Sequence, residues 1–65
     1  MKRLQAIKLM KEGKKITHDY FSNKEWMTME NDKIVTEEGY KHNAREFWSY
    51  RQLAGWNDGY SIYVA

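Results

Sequence analysis

Six rings are natural stacking surfaces: Trp26, Trp48, Tyr50, Trp56, Tyr60 and Tyr63. A base stacked on an exposed ring gains about 1–3 kcal/mol, so these are the natural platforms for a flat ligand. Arg45 and Arg51 add guanidinium, which grips a phosphate through two parallel bonds where an ammonium offers a point charge. Trp26, Trp48, Arg51, Trp56, Tyr60 and His18 are therefore the candidate ligand-binding residues: rings for a base, a cation for an anionic group, an imidazole for a polar contact. The same rings would equally fill a thin core or a subunit interface, where aromatics are enriched. Lys14 and Lys15 read as solvated charges beside a helix end.

Catalysis finds less to work with. His18-Asp19 places a carboxylate next to an imidazole, but neighbours on a strand point to opposite faces and cannot pair. Ser22, Ser49 and Ser61 lack an elbow motif. No catalytic residue is expected, and the chain reads as a binder and not an enzyme. There is no cysteine and there are only two histidines, so a zinc cage is not expected. Glu25, Glu30, Asp32, Glu37 and Glu38 lack the spacing of a calcium loop. Neither metal nor cofactor is predicted.

The elements that must position these groups follow from periodicity. MKRLQAIKLMKEG has Leu4, Ala6, Ile7, Leu9 and Met10 on a broad apolar face and predicts a helix ended by Gly13. KKITHDYF reads as extended, with Ile16, His18 and Tyr20 on one side. EWMTME and KIVTEE form a hairpin about Asn31-Asp32, with Met27 and Met29 sharing a face. From Tyr40 to Ala54 two readings stand: Asn43 and Glu46 resemble a capping box opening a helix that Gly55 would end, whereas FWSY is rich in strand formers and Asp58-Gly59 is a hairpin signal wanting an extended partner before it. GYSIYV closes the chain as a strand with Tyr60, Ile62 and Val64 on one face, Tyr63 on the other and Trp56 standing apart.

At 65 residues the chain predicts a single domain, and one of this size buries only about 60% of its unfolded surface. Without disulfides or metal, self-association is the remaining staple, and it would also cover an aromatic fraction of 15% in a chain of mean hydropathy −0.93. Residues 1–15 carry six basic and one acidic side chain, residues 16–39 two basic and six acidic, and residues 40–65 three basic and two acidic. That acidic counterweight argues against DNA and for an anionic small ligand or head-to-tail assembly. Nothing resembles a secretory signal or a spanning helix, so a cytoplasmic location is expected and no membrane partner.

Leu9, Met10, Lys11, Gly13, Lys14, Lys15 and Ile16, the hairpin from Trp26 to Val35, and Trp56 before the last strand give the chain its resemblance to the small phage-encoded Thoeris anti-defence family. The resemblance implies a helix on a curved antiparallel sheet. It also implies a non-enzymatic homo-oligomeric sponge that sequesters the cyclic nucleotide signal of a bacterial immune system, in the bacterial cytoplasm. The reading is thus an α+β protein: an N-terminal helix on a four- to five-stranded antiparallel sheet, with a second short helix. The alternative function is a small phage inhibitor that engages a host or defence protein through its acidic hairpin or an aromatic patch. A weak nucleic-acid binder using the basic helix comes third.

Overall fold

A computed structural model describes residues 1–64. Helix α1 (Arg3–Lys11) leads into a five-stranded antiparallel sheet of β1 (Ile16–His18), β2 (Met27–Glu30), β3 (Lys33–Thr36), β4 (Lys41–Asn43) and β5 (Tyr60–Ile62), in the order β4-β3-β2-β1-β5. A second helix, α2 (Ala44–Ser49), and a 3-10 turn (Ala54–Trp56) lie between β4 and β5. The fold is α+β, with the expected N-terminal helix, antiparallel sheet and short second helix.

Local chemistry accounts for most of the element ends. Gly13 has φ +91°, its N–H bonds to Met10 O at 3.0 Å and the Lys14 N–H bonds to Leu9 O at 3.0 Å, which is the paired closure of a Schellman motif. Asn31 and Asp32 both take positive φ, 51° and 63°, as a two-residue hairpin turn with right-handed strand twist demands. The register Glu30↔Lys33 follows. Asn43 Oδ1 accepts the Glu46 N–H at 3.1 Å, which starts α2 where the capping pattern placed it.

Antiparallel partners share a face, so the register sorts the sheet. Ile16, His18, Met27, Ile34 and Tyr60 fall on one face and are all buried. Ala6 and Met10 of α1 and Phe47 of α2 close over them. Both helices therefore occupy the same side of the sheet. The opposite face is covered by no described element.

Four expectations about the strands, turns and second helix change. The first strand stops at His18, and Tyr20 lies in the following turn, 64% exposed. The second helix ends at Ser49, so Gly55 sits inside the 3-10 turn and caps nothing. Asp58-Gly59 joins no hairpin; the place beside Tyr60 that a preceding strand would take is held by Met1, whose O accepts the Tyr60 N–H at 3.2 Å. Finally, Tyr60 is buried at 2% but Ile62 is 50% and Val64 86% exposed, because β5 is an edge strand that runs past the helices.

Leu4, expected on the buried face of α1, is 81% exposed. At roughly 100° per residue, Ala6 and Met10 define a stripe that includes Arg3 and leaves Leu4 on the flank. Helix geometry thus turns Arg3, half-buried, onto the packed side of the helix and leaves Leu4 to solvent.

Candidate functional site

His18 is the hub of the first cluster. It is 4% exposed and stacks on Trp56 at 4.4 Å between centroids with planes 27° apart. Tyr60 and Tyr20 meet it edge-on at 4.5 and 4.9 Å, and Phe21 completes the wall at 6.1 Å. The Tyr20 N–H donates to Nδ1 at 3.0 Å, so Nδ1 is the acceptor and the proton sits on Nε2. From there it points at Asp58 O, 2.7 Å away, and Gly55 O, 3.0 Å away. Both ring nitrogens have protein partners, and the imidazole ties the turn after β1 to the turn before β5. Asp19 lies in the turn after β1 and is not among the hydrogen-bond partners of the His18 ring.

Tyr60 is bound in the same way. Its hydroxyl donates to Trp56 O at 2.5 Å, and burial pushes its pKa up against the opposing pull of the Arg3 and Arg51 cations. Trp56 O also accepts the Arg3 Nε–H at 3.2 Å, while an Nη of Arg3 donates to Arg51 O. Arg3 was not among the residues singled out from the sequence. Its i, i+3, i+7 relation to Ala6 and Met10 is the signal that finds it.

Arg51 lies over the Phe47 ring at 3.8 Å and near Trp56 at 5.2 Å, with one Nη donating to Phe47 O at 3.1 Å. Its Nε is buried without a hydrogen-bond partner, and loss of solvent holds its pKa below the usual arginine value. Ring faces supply the attraction that an anion would otherwise give. The groove beside it, of about 460 Å³, is lined by Lys41, His42 and Tyr50 but also by Glu46. A smaller hollow adjoining it, about 180 Å³, brings in Glu25, Glu37 and Glu38. Carboxylates on both sides make this region unfavourable for a phosphate.

On the other flank of α2 the chemistry differs. Arg45, Trp48 and Ser49 stand at i, i+3 and i+4, one side of α2, and with Gln52 beyond its end and Arg3 they line an open cleft of about 550 Å³. The Arg3 guanidinium lies 4.8 Å over the Trp48 ring. Arg45 is exposed and makes no ion pair or side-chain hydrogen bond among the described residues. Two cations, an indole, a hydroxyl and an amide meet there without a carboxylate.

The structure therefore divides the sequence candidates. His18, Trp56, Tyr60 and Arg51 converge but bond to one another or to nearby backbone; Trp48 borders the open cleft; Trp26 lies on the far face of the sheet. Comparison with family models, with characterised proteins and with solved structures returns no significant match, so no relative lends this chain a family or a function. No described helix is long and apolar enough to cross a membrane.

Proposed function

We propose that the protein binds a small anionic aromatic ligand of the nucleotide class without transforming it, and that it acts as a sponge for a cyclic nucleotide signal. The carrying observation is the carboxylate-free cleft of Arg3, Arg45, Trp48, Ser49 and Gln52. Phosphate takes the Arg45 fork beside the positive charge of Arg3; the base lies along the Trp48 indole; Gln52 and Ser49 meet its polar edge. Capture needs affinity and no reacting group. The resemblance at residues 9–16 and 26–35 supports the same reading, and a phage protein held in the host cytoplasm, working as a homo-oligomer, is its setting. The acidic-hairpin alternative gains little: Glu30 is neutralised by Lys41 at 3.8 Å and stands opposite Lys33.

The test is thermal denaturation with a panel of cyclic mono- and dinucleotides and cyclic ADP-ribose isomers. Ligand at 100 times Kd stabilises by about 2.7 kcal/mol, a rise of roughly 10–20 °C for a domain this small. Arg45→Ala, an exposed change, should leave the unliganded stability within about 0.5 kcal/mol of wild type and abolish most of that rise. No rise across the panel ends this reading.

A further inference from the structure

The sheet has two edges, and they are finished differently. β4 carries Lys41, His42 and Asn43, with Lys41 paired to Glu30 at 3.8 Å, and the chain turns from it directly into α2. Charge on an edge strand discourages a further strand from adding. The β5 edge has no charge: Tyr60, Ser61 and Ile62 are followed by Tyr63 and Val64. The Tyr63 N–H bonds to Lys15 O at 2.9 Å and the Asp19 N–H to Gly59 O at 3.1 Å, so Gly59, Ser61 and Tyr63 aim their backbone groups at β1. Tyr60, Ile62 and Val64 aim theirs the other way. Tyr60 has a partner there, since its N–H meets Met1 O at 3.2 Å and its O accepts from the Met1 amine at 2.6 Å. Ile62 and Val64 have none among the described residues, and their side chains are 50% and 86% exposed.

We propose that this edge pairs with the same edge of a second copy, antiparallel across a two-fold axis, joining two five-stranded sheets into one. The occupant of an open edge must be an extended chain, because only a strand offers donors and acceptors at the matching spacing. Self-complementarity selects a second copy. With Tyr63 on the axis, Ile62 and Val64 exchange main-chain bonds with Val64 and Ile62 of the second copy, and each aliphatic side chain covers the other. On the opposite face Tyr63 meets its own counterpart at a non-hydrogen-bonded position, where side chains stand closest. Trp26 lies 6.4 Å from Tyr63 within each copy, so four rings cross the seam. No lysine or carboxylate on the segment repels its copy or asks for a partner of opposite charge. Met1, beside Tyr60, keeps the added strand to Ile62 and beyond. The contact does not depend on nucleotide capture, because Arg45 and Trp48 belong to α2, which packs over β3 and β4.

Sedimentation velocity over a concentration series tests it, with amide hydrogen exchange followed by NMR at both ends of the series. A closed monomer–dimer equilibrium is expected. The Ile62 and Val64 amides should slow as the dimer fills, while the Tyr63 amide, already bonded to Lys15 O, changes little. Val64→Pro keeps an apolar side chain and removes an outward donor that no described residue uses; Ile62→Lys puts two charges into the seam. Each should weaken dimerisation by roughly 10- to 150-fold and leave the circular dichroism of the monomer unchanged. Tyr63→Cys, in a chain with no cysteine of its own, should air-oxidise to a linked dimer, since Cα atoms across such a pair stand about 4.5 Å apart. Ser61→Cys should not, because its two copies lie about 13 Å apart along the seam. Arg45→Ala should dimerise like wild type, which separates the edge from the nucleotide cleft. A monomer at every concentration, growth beyond the dimer, wild-type dimerisation of Val64→Pro and Ile62→Lys, or crosslinking of Ser61→Cys in place of Tyr63→Cys overturns the proposal. So does loss of the dimer in Arg45→Ala, since the interface would then lie at the cleft.

Discussion

The His18 cluster and the Arg3–Arg45–Trp48 cleft contain the same kinds of groups and do opposite things with them. Around His18 both imidazole nitrogens meet backbone partners and each ring meets another ring. In the cleft, the exposed Arg45 keeps donors that no described residue uses. The difference teaches that a residue's type nominates it for binding, while the number of its partners decides whether it can bind anything else. A satisfied imidazole organises the fold; an unsatisfied guanidinium at a surface waits for an anion.

The contrast breaks first at His18. His18→Ala empties the hub and strands Gly55 O, Asp58 O and the Tyr20 N–H, so a loss of about 3–5 kcal/mol is expected, a large share of what a domain of this size holds. Urea unfolding measures it. Retention of wild-type stability would mean the cluster is peripheral. His18→Phe sharpens the point, because it keeps the stack on Trp56 and removes only the hydrogen bonds.

Tyr60→Phe comes next, deleting the bond to Trp56 O for about 1 kcal/mol. The pH dependence has a definite sign. Burial raises the folded pKa of Tyr60, so its contribution is complete below the unfolded value of about 10 and is lost as pH rises through the higher folded value. Stability measured from pH 9 upward should fall more steeply for wild type than for Tyr60→Phe. Parallel curves would show that the hydroxyl is solvated.

Gly55→Ala is the smallest of these. A Cβ there would stand 1.8 Å from the Tyr20 Oη and 2.6 Å from Cζ. Tyr20 is exposed enough to swing aside, losing its edge contacts to His18 at 4.9 Å and Trp56 at 5.0 Å, about 0.5–1.5 kcal/mol. In a Tyr20→Ala background the same substitution should cost almost nothing, which a double-mutant cycle reads directly. An equal cost in both backgrounds would place the strain in the backbone.

How legible each feature was in the sequence depended on how local its cause is. The α1 stop at Gly13, the Asn31-Asp32 turn and the Asn43 cap each rest on bonds spanning five residues or fewer, and each stands where the residue pattern put it. The length of α2 did not follow from pattern, because Phe47, Trp48 and Arg51 fit both a longer helix and a chain that leaves the helix at Tyr50 to reach Trp56. Arg3 was hidden for another reason: its partners, Arg51 O and Trp56 O, lie 48 and 53 residues away. Of the candidate site, Trp48 and Arg45 were nameable as a ring and a cation; that they share a wall with Arg3 was not.

By itself the sequence determined the inventory: an amphipathic helix, short strands, turns with the residues they need, and a set of rings and cations. The tertiary structure alone decided which of those rings are saturated and which remain open. Hydrogen bonding and stacking are exclusive, so a group's availability depends on contacts between β1, the 3-10 turn and β5 that no local pattern records.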